Sequence, residues 1–150
     1  MKFEEFLRFF KEQLRYPTPG SARFGINTQD GKYIGNCMYY DMDTVKKQTE
    51  VGIVIGDRNY WGCGYGYDAL VTMIDYLFAS MSMERLYLHT LEWNIRAQRA
   101  FRKCGLSVVT PVRRNGMEFL LMEIGIDHWL DIREKKLAVR DAAAQTTAQG

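Results

Sequence analysis

Apolar side chains recur at Phe3, Phe6, Leu7, Phe10 and Leu14, the i, i+3, i+4, i+7, i+11 spacing of one helical stripe. Tyr16-Pro17-Thr18-Pro19-Gly20 ends that helix, because proline lacks the N–H that the next turn needs. The period then drops to two. Ala22, Phe24 and Ile26 alternate with Arg23, Gly25 and Asn27, which predicts a strand. Gln29-Asp30-Gly31-Lys32 supplies an Asp-Gly hairpin turn, and the return strand occupies 33–40. A polar loop at 41–47 leads to a short apolar strand at 51–55, ended by Gly56-Asp57-Arg58-Asn59.

Gly62, Gly64 and Gly66 form a glycine-rich loop, after which Leu70, Met73, Ile74, Leu77 and Met81 mark a second amphipathic helix. A buried strand is predicted at 85–91. Asn94 opens a third helix with Ala97, Ala100, Phe101 and Cys104 on its apolar face and Gly105 as its C-cap. Strands at 106–112 and 117–124 flank the turn Arg113-Arg114-Asn115-Gly116, and a last helix covers 127–140. Residues 141–150 lack large apolar side chains and are expected to be a frayed, flexible tail. The expected order is therefore α-β-β-β-α-β-α-β-β-α. It forms one domain over 1–140, an α/β fold with a mixed, mostly antiparallel sheet of about six strands flanked by helices. The β-α-β unit at its centre implies two parallel strands joined by a right-handed crossover.

Composition narrows the function. With 150 residues the chain makes one domain. Twenty Lys+Arg against eighteen Asp+Glu leave +2, too small a surplus to make nucleic acid or an anionic membrane the main partner. The three cysteines at 37, 63 and 104 offer no CxxC pair, and there are only two histidines, so no metal is expected. No apolar run is long enough for a membrane span, and the charges in MKFEEFLRFF interrupt the place of a signal peptide. A cytoplasmic location is the expectation.

The chemical signal is Tyr60-Trp61-Gly62-Cys63-Gly64-Tyr65-Gly66 between a strand and a helix. Alternate glycines let a backbone pass close to a bulky anion, and the helix that follows directs free N–H groups at it. The same segment also reads as a tight turn with no ligand. It is not a P-loop, which needs Lys-Ser/Thr after the last glycine, and a Rossmann fingerprint fails at Tyr67, although Glu92 keeps a nicotinamide reading open. Arg96, Arg99, Arg102 and Lys103 crowd the polar side of the third helix, either as a solvated face or as a group that favours phosphate.

The glycine loop, its helix, the next strand and then Asn94-x-x-Ala97-x-x-x-Phe101-x-Lys103-x-Gly105-Leu106 resemble the GNAT superfamily of acetyl-CoA-dependent N-acetyltransferases. Gly56-Asp-Arg-Asn-Tyr-Trp-Gly62 and Leu91-Glu-Trp-Asn94 are most similar to its ribosomal-protein N-acetyltransferase-like branch. The resemblance implies acetyl-CoA as co-substrate and a primary amine as acceptor, with direct attack in a ternary complex. It implies that backbone amides of the loop Trp61, Gly62, Cys63, Gly64, Tyr65 and Gly66 hold the pyrophosphate, with Trp61 standing where the family has Gln or Arg. It further implies that the strand before the loop splays from its parallel neighbour and that Ile53, Val54 and Ile55 pair with pantetheine. An N–H near Val54 or Ile55 would then face the thioester oxygen, and Asn94 would touch the cofactor.

Glu50, eleven residues before Trp61, matches the spacing of a general-base glutamate in the superfamily and equally suits a surface carboxylate at a strand end. Phe101 stands where the family often has a proton-donating tyrosine. His89, within an apolar strand, reads as a hydrogen-bonded core histidine, a catalytic role lacking an assigned partner. Family members normally carry a strand and a helix ahead of the helix at 3–15. Without them the strand near 21–28 is an open edge on which a homodimer could form. A non-catalytic acyl-CoA-binding module and an edge-pairing interaction domain are the alternative functions.

Overall fold

The computed structural model describes residues 3–15 and 18–148. The stripe side chains Phe3, Phe6, Phe10 and Leu14, and the helix-ending pair Tyr16 and Pro17, lie outside that description. The order of elements is α1 (Phe3–Arg15), β1 (Ala22–Asn27), β2 (Tyr33–Asp43), β3 (Gln48–Ile55), a 3-10 turn (Arg58–Tyr60), α2 (Tyr65–Ala79), β4 (Arg85–Leu91), α3 (Ile95–Lys103), β5 (Ser107–Arg114), β6 (Met117–Gly125) and α4 (Ile126–Ala148).

The six strands form one sheet in the order β1-β2-β3-β4-β6-β5. Only β3 and β4 are parallel, which the α2 crossover between them allows; every other neighbouring pair is antiparallel. Alternation along the strands decides the faces. Leu86 and Leu88 of β4, Val51 of β3, Cys37 and Tyr39 of β2, and Met122 and Ile124 of β6 are buried in the main core. Against them α2 lays Leu70, Met73, Ile74, Leu77 and Phe78. Trp129 of α4 closes one end, its ring 5.1 Å from Phe78 and its indole N–H donating to Asp75 at 2.7 Å.

The three largest differences from the sequence reading lie at the following boundaries. The loop expected at 41–47 is shorter, because β2 runs on to Asp43 past an irregularity between Tyr40 and Asp43. Asp41 at that point has φ 53, which takes up the irregularity. β3 begins at Gln48, so Glu50 lies inside a strand and is buried rather than exposed at a strand end. The tail expected from 141 continues α4 as an exposed helix to Ala148. Its alanines have the highest helix propensity, so the segment needs no buried face to extend a helix already started.

Candidate active site

The site is built where β3 and β4 part. They pair only at Gln48↔Arg85, Thr49↔Leu86 and Glu50↔Tyr87, although β3 continues to Ile55 and β4 to Leu91. Each keeps its outer partner along the diverging stretch. β3 stays on β2 as far as Gly35↔Ile55, and β4 stays on β6 as far as Leu91↔Phe119. The inner backbone groups beyond Glu50 and Tyr87 therefore have no strand partner. Ile53, Val54 and Ile55 all lie on this open stretch, and Val54 is 57% exposed.

The glycine loop stands at the wide end of the gap. Asp57 accepts from the Asn59 amide at 3.0 Å and starts the 3-10 turn, and Lys32 pairs with Asp57 at 3.0 Å. The Trp61 indole N–H donates to the Ile55 carbonyl at 2.7 Å, which ties the loop to the end of β3. Gly62 and Gly64 have φ of 71° and 89°, a backbone shape that a side chain resists. A Cβ at either position would meet nothing within 4 Å, so the outer side of the loop is open. Gly64 caps α2 without a side-chain bond, and the first helical bond runs from Asp68 N–H to the Gly64 carbonyl at 2.9 Å. The amides of Tyr65, Gly66 and Tyr67 thus emerge unpaired at the positive end of the helix.

Cations gather beside those amides. Arg96 lies 3.8 Å over the Trp61 ring, Arg58 lies 5.4 Å from it, and Lys103 is 4.5 Å from the Tyr67 ring. Of the basic group on α3, Arg96 and Lys103 are brought to the loop, while Arg99 and Arg102 are solvent-exposed. Open glycines, free amides and flanking cations together fit a diphosphate. Cys63 is exposed within the loop. Asn94 caps α3, its side chain accepting from Ala97 N–H at 3.2 Å. Buried Gln98, which sequence reasoning passed over, donates to the carbonyls of Leu91 and Glu92 at 3.3 and 2.7 Å and fixes α3 to the end of β4. Phe101 is a core side chain, 9% exposed.

At the narrow end of the gap the structure joins residues that the sequence could not. Glu50 Oε1 lies 2.6 Å from His89 Nδ1, and the two side chains are 9% and 10% exposed. Tyr40 is the β2 neighbour of Glu50 in the strand register. Burial first, then the neighbouring Glu50 carboxylate and, to a smaller extent, Asp41 push the Tyr40 hydroxyl well above its ordinary value. Tyr87 is raised by burial and by Glu50 and Asp41, against the opposing pull of Arg85 and Arg114. The strand registers set Tyr40, Glu50, Tyr87 and Glu123 in one row across the sheet. His89 is thus a hydrogen-bonded histidine, as expected, but on the face away from the main core and with a carboxylate partner. The parity of Leu86 and Leu88 against Tyr87 and His89 was a usable signal for that face.

A family model described as Acetyltransferase (GNAT) domain matches residues 2–107. The chain is 34% identical over 65 residues to an "Uncharacterized N-acetyltransferase p20" of Bacillus licheniformis, covering 43% of this chain and 36% of that protein. It is 27% identical over 100 residues to a "Probable spermine N(1)-acetyltransferase" of Bacillus subtilis subsp. natto (strain BEST195), covering 63% and 66%. The matched parts therefore span about a third and just under two thirds of these relatives' lengths. The fold is shared with the spermidine/spermine N-acetyltransferase SpeG of Vibrio cholerae, at a TM-score of 0.73, 19% identity and coverage of 87% and 78%. A dodecameric spermidine N-acetyltransferase of the same organism also has a TM-score of 0.73 at 19% identity, covering 86% and 77%. None of these matches selects the ribosomal-protein branch. No helix among the described residues is long and apolar enough to cross a membrane, and no group of three or more of them could hold a metal ion. With the family model covering well over half of its length, the chain belongs to the GNAT acetyltransferase family, whose co-substrate is acetyl-CoA.

Proposed function

We propose that this protein is an acetyl-CoA-dependent N-acetyltransferase that acetylates a primary amine by direct attack in a ternary complex. The parting of β3 from β4 above an open glycine loop carries this reading. Acetyl-CoA supplies an activated thioester carbonyl. The loop amides from Gly62 to Gly66, with Trp61 and Cys63 in the same loop, hold the diphosphate at the start of α2. Ile53, Val54 and Ile55 offer strand amides and carbonyls to the pantetheine arm, and an N–H at Val54 or Ile55 stabilises the oxyanion. The Ile55 carbonyl already takes the Trp61 indole, so Ile53 and Val54 carry most of that pairing. Asn94 spends its side-chain oxygen on the α3 cap and meets the cofactor through its remaining groups. Glu50 is the carboxylate that serves amine deprotonation.

For the acceptor we favour a small polycationic amine over a protein N-terminus. The relatives named for spermine and spermidine support this, as do Asp41 and Glu50 near the row of tyrosines. A homodimer through the outer edge of β1 is a further part of the proposal, since β1 ends the sheet with Phe24 45% exposed. The test is thiol release from acetyl-CoA with polyamines, amino acids and N-terminal peptides, alongside calorimetric binding. Polyamines are expected to turn over fastest. Binding without thiol release from any amine replaces the enzyme reading with the acyl-CoA-binding module.

A further inference from the structure

We infer that His89 is the group that takes the proton from the acceptor amine and that Glu50 is a positioning residue acting through it. The inference rests on the acetyl-transfer reading above and deepens it. His89 lies on β4 beyond Tyr87, the last residue paired to β3, and so on the wall of the gap. Its ring reaches the facing strand, where Nδ1 meets Glu50 Oε1 at 2.6 Å. An ionised carboxylate can only accept, so Nδ1 carries the hydrogen and Nε2 is left with its lone pair. Nε2 has no hydrogen-bond partner among the described residues, and the His89 side chain is 10% exposed, so the lone pair is available to an incoming group.

Glu50 is differently placed. Its Oε1 is already engaged by His89, Tyr40 stands beside it on β2, and its side chain is 9% exposed, so it is enclosed before an amine arrives. This is the division of labour in which a buried carboxylate orients an imidazole and stabilises its charged form, while the other ring nitrogen handles the proton. The other groups facing His89 do not compete for Nε2. Tyr87 stands edge-on at 6.2 Å, Leu121 is its β6 neighbour, Arg85 and Glu123 pair with one another, and Asp41 and Arg114 act on Tyr87.

The proton balance closes. An ammonium acceptor loses two protons as the N–C bond forms and the C–S bond breaks. His89 takes one of the two at Nε2 and passes it on; at the end one of the two is on the departing sulfur and the other in solvent, and nothing is oxidised or reduced. Phe101, buried and without a proton, leaves the sulfur to be protonated by the imidazolium or by solvent.

A pair that merely stitches the strands together predicts lost stability alone, so the test uses readouts that stitching leaves unmoved. His89→Gln is expected to lower kcat/KM for the amine by about 100-fold and to remove the acid-side fall of its pH profile. Its acetyl-CoA affinity by calorimetry should stay within about two-fold of the wild type. In His89→Ala, added imidazole should restore the rate by about 10-fold or more, a comparison made within one protein and independent of its stability. Nitrogen-15 spectra give a readout apart from activity. The only other histidine, His128, is exposed, so the two rings separate, and His89 should show the Nδ1–H tautomer in the wild type and a mixture in Glu50→Gln. An active wild type whose His89→Gln variant keeps its rate within about three-fold and its pH profile, or a His89→Ala variant that imidazole does not accelerate, overturns the inference alone. A wild type that binds acetyl-CoA and releases no thiol with any amine overturns the acetyl-transfer reading, and the inference with it.

Discussion

The two edges of β4 contrast. Along one, β4 is paired with β6 from Arg85↔Gly125 to Leu91↔Phe119; along the other it meets β3 at three positions and then stands alone. A backbone group left unpaired away from water costs about as much as a lost hydrogen bond, so an open ladder persists where water or a ligand takes its place. Both strands can afford the gap because each is held from outside. On the far side of β3, Gly35 approaches so closely that a Cβ there would collide with the Val54 carbonyl. The sheet is thus two braced halves joined at a short parallel seam, and the His89–Glu50 contact sits where the seam ends.

That contrast can be broken from the closed side first. Leu88 is 2% exposed on the core face of β4, and Leu88→Ala is expected to cost about 3 kcal/mol in chemical denaturation. The open side should respond in binding instead. Gly64→Glu places a carboxylate in the empty space outside the loop at φ 89°, and acetyl-CoA affinity should fall by about 100-fold in calorimetry through bulk and charge repulsion. Unchanged affinity would move the diphosphate elsewhere.

The seam itself should show in alkaline solution. Tyr87 in the seam, Tyr40 beside it and Tyr39 in the core have hydroxyls held above their ordinary value of 10.0, chiefly by burial. Folding therefore favours their neutral forms. That contribution is intact below pH 10 and is lost as pH climbs past it, because the unfolded chain releases those protons first. Melting temperature followed by circular dichroism should decline from about pH 10 upward, and a flat profile would mean the seam is wetter than its burial indicates. The smallest effect is expected at Val54, on the unpaired stretch and 57% exposed: Val54→Ala should change stability by about 0.5 kcal/mol or less, a sharp contrast with Leu88.

Legibility followed distance along the chain. The glycine loop, the Asn94 cap and the order of elements could be read directly, since turns, caps and periodicity are set by neighbouring residues. Glu50 was singled out for its spacing, with a surface carboxylate at a strand end as the equal alternative, and it lies buried inside β3. The polar residues Gln48 and Thr49 disguised a strand that includes them, Thr49 donating to the Tyr40 carbonyl at 2.8 Å and lying fully buried. The exposed helix beyond 140 was missed because a search for apolar stripes does not register alanine.

Local sterics and the two-residue period of a strand were enough to put Val51, Leu86 and Leu88 on one face and Glu50, Tyr87 and His89 on the other. They say nothing about which residue of β3 stands beside which residue of β4. Parallel strands joined by a helix have no turn to set their register, so it follows from how α2 packs across both. A slide of one residue would reverse every side chain of a strand. The meeting of Glu50 and His89, 39 positions apart in sequence, exists only once that packing is complete.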